Sequence, residues 1–134
     1  MTWSKEELMS DVHEFSELNE HFSKLNDKTK SLVNDIIKNG VENIELLDLR
    51  LAEIYSLYNT ASLYLSVKEH LNHSEFLSLL NFWNQAYIEI YQVAQDSDSN
   101  TSWMDERYRN YSRQFKLVNE MLVTKIKETK KLMQ

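Results

Sequence analysis

The near absence of helix-breaking residues constrains this chain more than any other feature. Its 134 residues contain no proline and one glycine, Gly40. These two residue types usually make up roughly a tenth of a protein, and they are the residues that most often end helices and form turns. The sequence therefore predicts long helices. The same scarcity excludes glycine-dependent sites such as the phosphate-binding loop, the dinucleotide-binding fingerprint and the nucleophile elbow.

Length and composition predict a single helical domain that spans residues 1–134. The hydrophobic content of 42% supports a buried core. The chain has no cysteine, which excludes disulfides and thiolate metal sites and fits a reducing compartment. Its first residues are polar and no run of about 18 apolar residues occurs, so we expect neither a secretory signal nor a membrane span.

The first helix is predicted at residues 4–38. Ser4 and Glu7 form a capping box at its start, and Asn39 with Gly40 is a left-handed C-cap signal at its end. Between them, apolar residues recur at heptad spacing, which indicates a long, slightly supercoiled helix. These residues are Leu8, Phe15, Leu18, Phe22, Leu25, Leu32 and Ile36.

Three more helices are predicted at about residues 43–71, 75–95 and 103–132. The last two each carry an apolar stripe at helical spacing. The stripe of the third is Phe76, Leu79, Leu80, Trp83, Tyr87, Ile90, Val93 and Ala94, and that of the fourth is Met104, Tyr108, Tyr111, Phe115, Val118, Leu122 and Ile126. Asn72 or Ser74 can cap the third, and a Ser/Asp-rich loop is expected before the fourth. The second helix is apolar around most of its circumference, so we expect it to lie at the centre or to need a partner on its extra face. Four helices with short connections predict an all-α fold, specifically an antiparallel up-down-up-down four-helix bundle with long heptad-patterned helices.

Charge is distributed unevenly along the chain. The net charge of −6 comes from residues 1–70, whereas residues 107–134 carry eight basic residues against two acidic ones. The two ends either lie side by side and neutralise each other, or face solvent, or the basic end contacts nucleic-acid phosphates. The basic residues are Arg107, Arg109, Arg113, Lys116, Lys125, Lys127, Lys130 and Lys131.

The sequence shows no recognisable catalytic or metal-binding pattern. None of the four histidines has a glutamate three residues before it, the spacing found in di-iron bundles. His70 and His73 are neighbours at a predicted helix break, but Glu69 and Glu75 alone do not complete a zinc site with them. We therefore expect no enzyme activity, no metal, no cofactor and no small-molecule substrate.

Most of the seven tyrosines are expected in the core, with their hydroxyls at its edge. Tyr108 and Tyr111 differ because three arginines are interleaved with them in the sequence. Aromatic rings beside cations can stack on nucleotide bases. This segment is therefore the best local candidate for an RNA contact.

The predicted second helix also carries a family resemblance. In the segment Leu47–Lys68, a leucine-rich stretch with a central tyrosine leads into small residues and an aromatic-aliphatic end. His73 and a helix with aromatic spacing follow, and an acidic heptad helix precedes Gly40. Over roughly residues 15–90 this resembles the nuclear exosome cofactor family, which includes neuroguidin and small-subunit processome proteins. The family commonly has proline after the histidine, where this chain has Ser74.

The resemblance implies a non-catalytic cofactor that binds the helical N-terminal region of the exosome-associated exonuclease. Such a cofactor assists the processing of ribosomal and small nuclear or nucleolar RNAs. It implies a location in the nucleus, mainly the nucleolus, with the cytoplasm as a further location. We expect partner helices to pack around Tyr55, Leu57, Leu63 and Tyr64.

The eight basic residues would then add a weak RNA or DNA contact that depends on salt. Two other functions stay open. The chain could be a stand-alone helical adaptor or homodimeric structural protein with no RNA role, or a nucleic-acid-binding module in its own right.

Overall fold

A computed structural model of the chain describes residues 4–40, 44–71, 73–96 and 102–134, apart from the side chains at 44, 69, 96, 102 and 103. The described residues form four α-helices and no strand, which confirms the all-α class. The helices are α1 (Lys5–Asn39), α2 (Ile44–Val67), α3 (Ser74–Asp96) and α4 (Ser102–Leu132). The predicted cap at Asn72 and most of the predicted Ser/Asp-rich loop lie outside these residues. No described helix is both long and apolar enough to cross a membrane.

Both ends of α1 are set by the residues that the sequence indicated. The Ser4 side chain accepts a hydrogen bond from the Glu7 amide at 3.1 Å, which satisfies one free N–H of the first turn. At the other end the Gly40 amide donates to the Ile36 carbonyl at 2.8 Å. Gly40 has φ of 72°, as predicted, but its ψ of −167° lies outside the left-handed helical region. Only glycine adopts that backbone conformation readily.

The second helix ends at Val67, four residues earlier than predicted. After Lys68 the chain tightens into a 3₁₀ turn at Glu69–Leu71, in which the Leu71 amide donates to the Lys68 carbonyl at 2.9 Å. This turn brings Leu71 fully into the core. The His73 carbonyl then accepts from the amides of Phe76 and Leu77, at 3.1 Å each. Helix α3 begins at Ser74, which is therefore its first helical residue and not its cap.

One hydrophobic core runs through all four helices. The helix α1 packs against α2 and α4, and α3 packs against α2 and α4. The heptad residues of α1 are buried, except Phe15, which packs against the core while half-buried. The predicted apolar stripes of α3 and α4 also face this core.

Aromatic rings join α2 to α3. Trp83 is fully buried and is stacked between Tyr58, at a centroid distance of 4.6 Å, and Tyr87, at 5.1 Å. The ring of Tyr55 lies at the edge of this group, 5.2 Å from Tyr87. We call these four residues the aromatic cluster. The Trp83 indole N–H donates to the buried hydroxyl of Thr29 on α1 at 3.0 Å.

The helix α2 is not the buried centre of the bundle, which was one of its two expected positions. Its buried residues form a single stripe at steps of three, four and seven: Leu47, Leu51, Ile54, Ala61 and Leu65. Tyr58 continues the stripe within the aromatic cluster. The side of α2 opposite this stripe is exposed and carries Leu49, Leu63 and Val67. The extra apolar face that the sequence indicated is exposed only in part, because Leu57 and Tyr64 pack against the core.

Candidate partner-binding face of the second helix

The outward side of α2 carries large aliphatic side chains that the bundle does not cover. Leu49, Leu63 and Val67 are 69%, 65% and 66% exposed. With the small exposed residues Ala52 and Ser56 between them, they align at helical spacing opposite the buried stripe. We call these five residues the exposed α2 face. At 1.5 Å per residue the strip is about 27 Å long.

The chemistry of this face is suited to packing. Its large members are aliphatic, and the residues between them are small enough to let another backbone approach. Isolated apolar side chains on a surface are ordinary, whereas aligned ones often mark an interaction site. Burial of such a side chain contributes about 1.5–3 kcal/mol, so a helix laid along the strip would gain from several of them together.

The four partner-binding residues predicted from the sequence do not lie together on this face. Leu63 lies on the exposed α2 face. Tyr55 is 42% exposed, with its ring against the aromatic cluster. Leu57 and Tyr64 are half-buried and pack against the core. The structure thus leaves two of the four accessible, on different sides of α2.

Tyr64 is held within the contact between α1 and α2. Its hydroxyl donates to the Glu17 carboxylate at 3.0 Å and lies 3.4 Å from the Glu14 carbonyl. Its ring lies 5.1 Å from that of His21. Burial, followed by the hydrogen bond to Glu17 and the charges of Glu17 and Glu14, raises the pKa of Tyr64 well above its ordinary value. The phenol therefore stays neutral and serves as a hydrogen-bond donor to α1.

Ion pairs border the other half of the contact between α1 and α2. Arg50 donates to the Asp35 carboxylate at 2.6 Å and to the Ser31 hydroxyl at 3.1 Å. Lys28 lies 3.6 Å from the Glu53 carboxylate. Exposed pairs of this kind contribute about 0–1 kcal/mol each, so their main effect is to fix the register of α2 on α1.

Sequence reasoning missed Leu49 and Val67 as members of the exposed face. A signal for Leu49 was present, since Leu49, Ser56 and Leu63 follow one another at intervals of seven on the side opposite Leu51 and Leu65. Because α2 has apolar residues on its other sides as well, this spacing does not by itself show which side is exposed. Only the position of α1 decides which side is covered.

The eight basic residues of α4 are all exposed. Arg109 pairs with Asp105 at 3.0 Å within the helix, and Arg107 donates to Gln85 at 3.1 Å. The described residues show no ion pair between α4 and the acidic α1. On α1, Asp35 instead pairs with Arg50 of α2, and Glu14 pairs with Lys68, which follows α2. The basic end of the chain therefore faces solvent, one of the three arrangements that the sequence left open.

The expected stacking of RNA bases on Tyr108 and Tyr111 does not fit the structure. Tyr111 is fully buried, and its hydroxyl donates to Asn26 at 3.0 Å. Tyr108 is half-buried against it, with ring centroids 6.1 Å apart. Burial raises the pKa of both phenols. Arg109, which lies between the two tyrosines in the sequence, is exposed on another side of the helix, because residues one or two apart do not face the same way.

No protein-family model, curated protein or solved structure matches this chain.

Proposed function

We propose that this chain is a non-catalytic protein-binding module that accepts a helix of another protein along the exposed α2 face. The observation that carries the proposal is the alignment of Leu49, Leu63 and Val67, each about two-thirds exposed, on a helix whose opposite side is core. An amphipathic partner helix would present apolar side chains at spacings of three, four and seven to fill the strip.

The proposal includes an antiparallel up-down-up-down order of the four helices. Contacts near both ends of α2 support its direction relative to α1, since Arg50 meets Asp35 and Tyr64 meets Glu17. The contact of Gln95 with Asp48 supports an antiparallel α2 and α3, together with the approach of Tyr55 to Tyr87. For α3 and α4 the support comes from two hydrogen bonds, Arg107 to Gln85 and Gln114 to Glu75.

For the partner we propose the helical N-terminal region of the exosome-associated exonuclease. This choice rests on the resemblance of Leu47–Lys68 to the nuclear exosome cofactors. It would give the chain a role in processing ribosomal and small nuclear or nucleolar RNAs, in the nucleus and mainly the nucleolus. The exposed cations of α4 support a weak added contact with RNA phosphates, which should weaken as salt rises.

The test uses a pair of substitutions on α2 and a matched pair on α3. The double variant Leu49→Asp, Leu63→Asp places two charges in the exposed α2 face. The control Leu77→Asp, Ile88→Asp changes two α3 aliphatics that are 48% and 47% exposed. We expect the purified exonuclease region to bind the wild-type chain and the control. The α2 variant should lose at least about tenfold in affinity, because buried unpaired charges are costly.

Binding is measured by fluorescence anisotropy, with circular dichroism to verify that each variant is folded. Failure of the wild-type chain to bind the exonuclease region overturns the choice of partner. Equal losses in the α2 variant and in the control overturn the choice of face. Sedimentation of the chain alone tests the homodimeric alternative. If the wild-type chain is a stable dimer and the α2 variant is a monomer, the exposed α2 face binds a second copy of the chain.

A further inference from the structure

Three metal-ligating side chains from distant parts of the chain meet beside the connection between α2 and α3. Asp11 and Glu14 lie one turn apart on α1, and His70 belongs to the 3₁₀ turn, 56 residues after Glu14. One ligand atom from each lies within 4.8 Å of the other two. The His70 Nε2 atom is in hydrogen-bond contact with Glu14 Oε2.

We propose that Asp11, Glu14 and His70 bind a divalent transition-metal ion, for which Zn²⁺ is the best-suited probe. Imidazole and carboxylate groups are ordinary Zn²⁺ ligands at about 2.0–2.2 Å. Three ligand atoms this close together need only small side-chain rotations to reach one ion. An ion at this position would take the place of the direct contact between His70 and Glu14.

Neighbouring contacts hold the two parts of this cluster in place. The Tyr64 hydroxyl contacts both the Glu14 carbonyl and the Glu17 carboxylate, which fixes this turn of α1 against the end of α2. Leu71, next to His70, is fully buried and anchors the 3₁₀ turn. These contacts hold the backbone from which Glu14 and His70 project.

The cluster opens into a cleft that leaves room for a water molecule as a fourth ligand. Three protein ligands with one open position are typical of accessible zinc sites. The cleft has a volume of about 470 Å³ and is lined by Glu7, Ser10, Asp11, Glu14, Phe15 and His70.

Lys68 is a residue whose substitution should strengthen Zn²⁺ binding, whereas substitution of a ligand should weaken it. Its ammonium nitrogen lies 3.5 Å from Glu14 Oε1, where it competes with a metal ion for the same carboxylate. Removal of this charge by Lys68→Gln should strengthen Zn²⁺ binding severalfold, since a neighbouring unit charge repels a cation even through water. Removal of a ligand should weaken it.

The experiment titrates the full chain, first freed of metal with a chelator, with Zn²⁺ alone by calorimetry. We expect one ion per chain. Outer-shell changes alone cost about 10- to 100-fold in affinity, so His70→Ala and Asp11→Asn should each cost about 100-fold or more. His13→Ala is the matched control, because His13 is an exposed imidazole on α1 outside the cluster and its loss should leave binding unchanged.

Circular dichroism verifies that each variant keeps its helices, and Asp11→Asn keeps the test valid if His70→Ala unfolds. Absence of saturable Zn²⁺ binding in the wild-type chain overturns the proposal, as does wild-type affinity in a folded His70→Ala. Weaker Zn²⁺ binding by the Lys68→Gln variant would contradict the assignment of Glu14 as a ligand. The readout needs no protein partner, so it is independent of the function proposed for the exposed α2 face.

Discussion

Thr29 is a polar side chain in the heptad seam of α1, between Phe22 and Ile36. It is fully buried, and its hydroxyl accepts the indole N–H of Trp83 at 3.0 Å. Thr29→Val keeps the shape of the side chain but leaves the indole N–H without its acceptor. We expect the free energy of unfolding to fall by about 1–3 kcal/mol, the usual cost of an unpaired buried donor.

Urea denaturation measures this loss, and a second background supplies the control. In Trp83→Phe the indole N–H is already absent, so Thr29→Val should then cost little. The two substitutions form a double-mutant cycle that isolates the contact. The same loss in both backgrounds would assign the effect to packing around Thr29 rather than to the hydrogen bond.

Single positions also show where sequence reasoning reached its limit. Burial of the heptad residues of α1 could be predicted because one apolar stripe on a polar helix has only one way to face a core. The role of Thr29 could not, because its partner is 54 residues away. The cluster of Asp11, Glu14 and His70 could not be predicted for the same reason, because the only acidic residues near His70 and His73 in the sequence are Glu69 and Glu75.

Among the helices, α2 was the least predictable. Its apolar residues surround the helix, so periodicity does not select between Leu63, which is exposed, and Leu57 or Tyr64, which pack inward. The predicted C-terminal end of α2 was also wrong, because neither glycine nor proline marks the tight turn that follows Val67. The stripes of α1 and α4 were predicted correctly because the apolar residues of each helix lie mostly on one side. The buried stripe of α3 was also predicted correctly, although Leu77 and Ile88 lie exposed outside it.

Gly40 ends α1 in a backbone conformation that other residues adopt only at a cost. A Cβ atom on Gly40 would meet nothing within 4 Å, so substitution there is limited by the backbone alone. With φ of 72° and ψ of −167°, a side chain costs about 1–3 kcal/mol. We expect Gly40→Ala to lower the free energy of unfolding by that amount.

Gly40→Asn distinguishes this conformation from an ordinary helix C-cap. Asparagine tolerates the left-handed helical region but not the conformation of Gly40, so it should destabilise the chain about as much as alanine does. Both variants are compared by urea denaturation. An asparagine variant with wild-type stability would mean that the turn relaxes into the left-handed helical region.

The bundle as a whole should lose stability in alkali. Burial, as the largest cause in each case, raises the pKa of five phenols above the ordinary value of about 10: Tyr58, Tyr64, Tyr87, Tyr108 and Tyr111. Between the unfolded and folded pKa values, the unfolded chain has lost protons that the folded chain retains. The free energy of unfolding should therefore be unaffected by these groups below about pH 9 and should fall as the pH rises past 10.

Two signals followed together check this expectation. Tyrosinate absorbance near 295 nm reports ionisation of the phenols, and circular dichroism reports the helices. Because the raised-pKa tyrosines lie on α2, α3 and α4, a large part of the absorbance change should appear only as the helical signal is lost. Tyr111→Phe removes one of these protons and should flatten the decline above pH 10. If all the phenols instead ionised near pH 10 while the helices stayed intact, the protection by burial would be refuted and the core around Tyr111 would have to admit water.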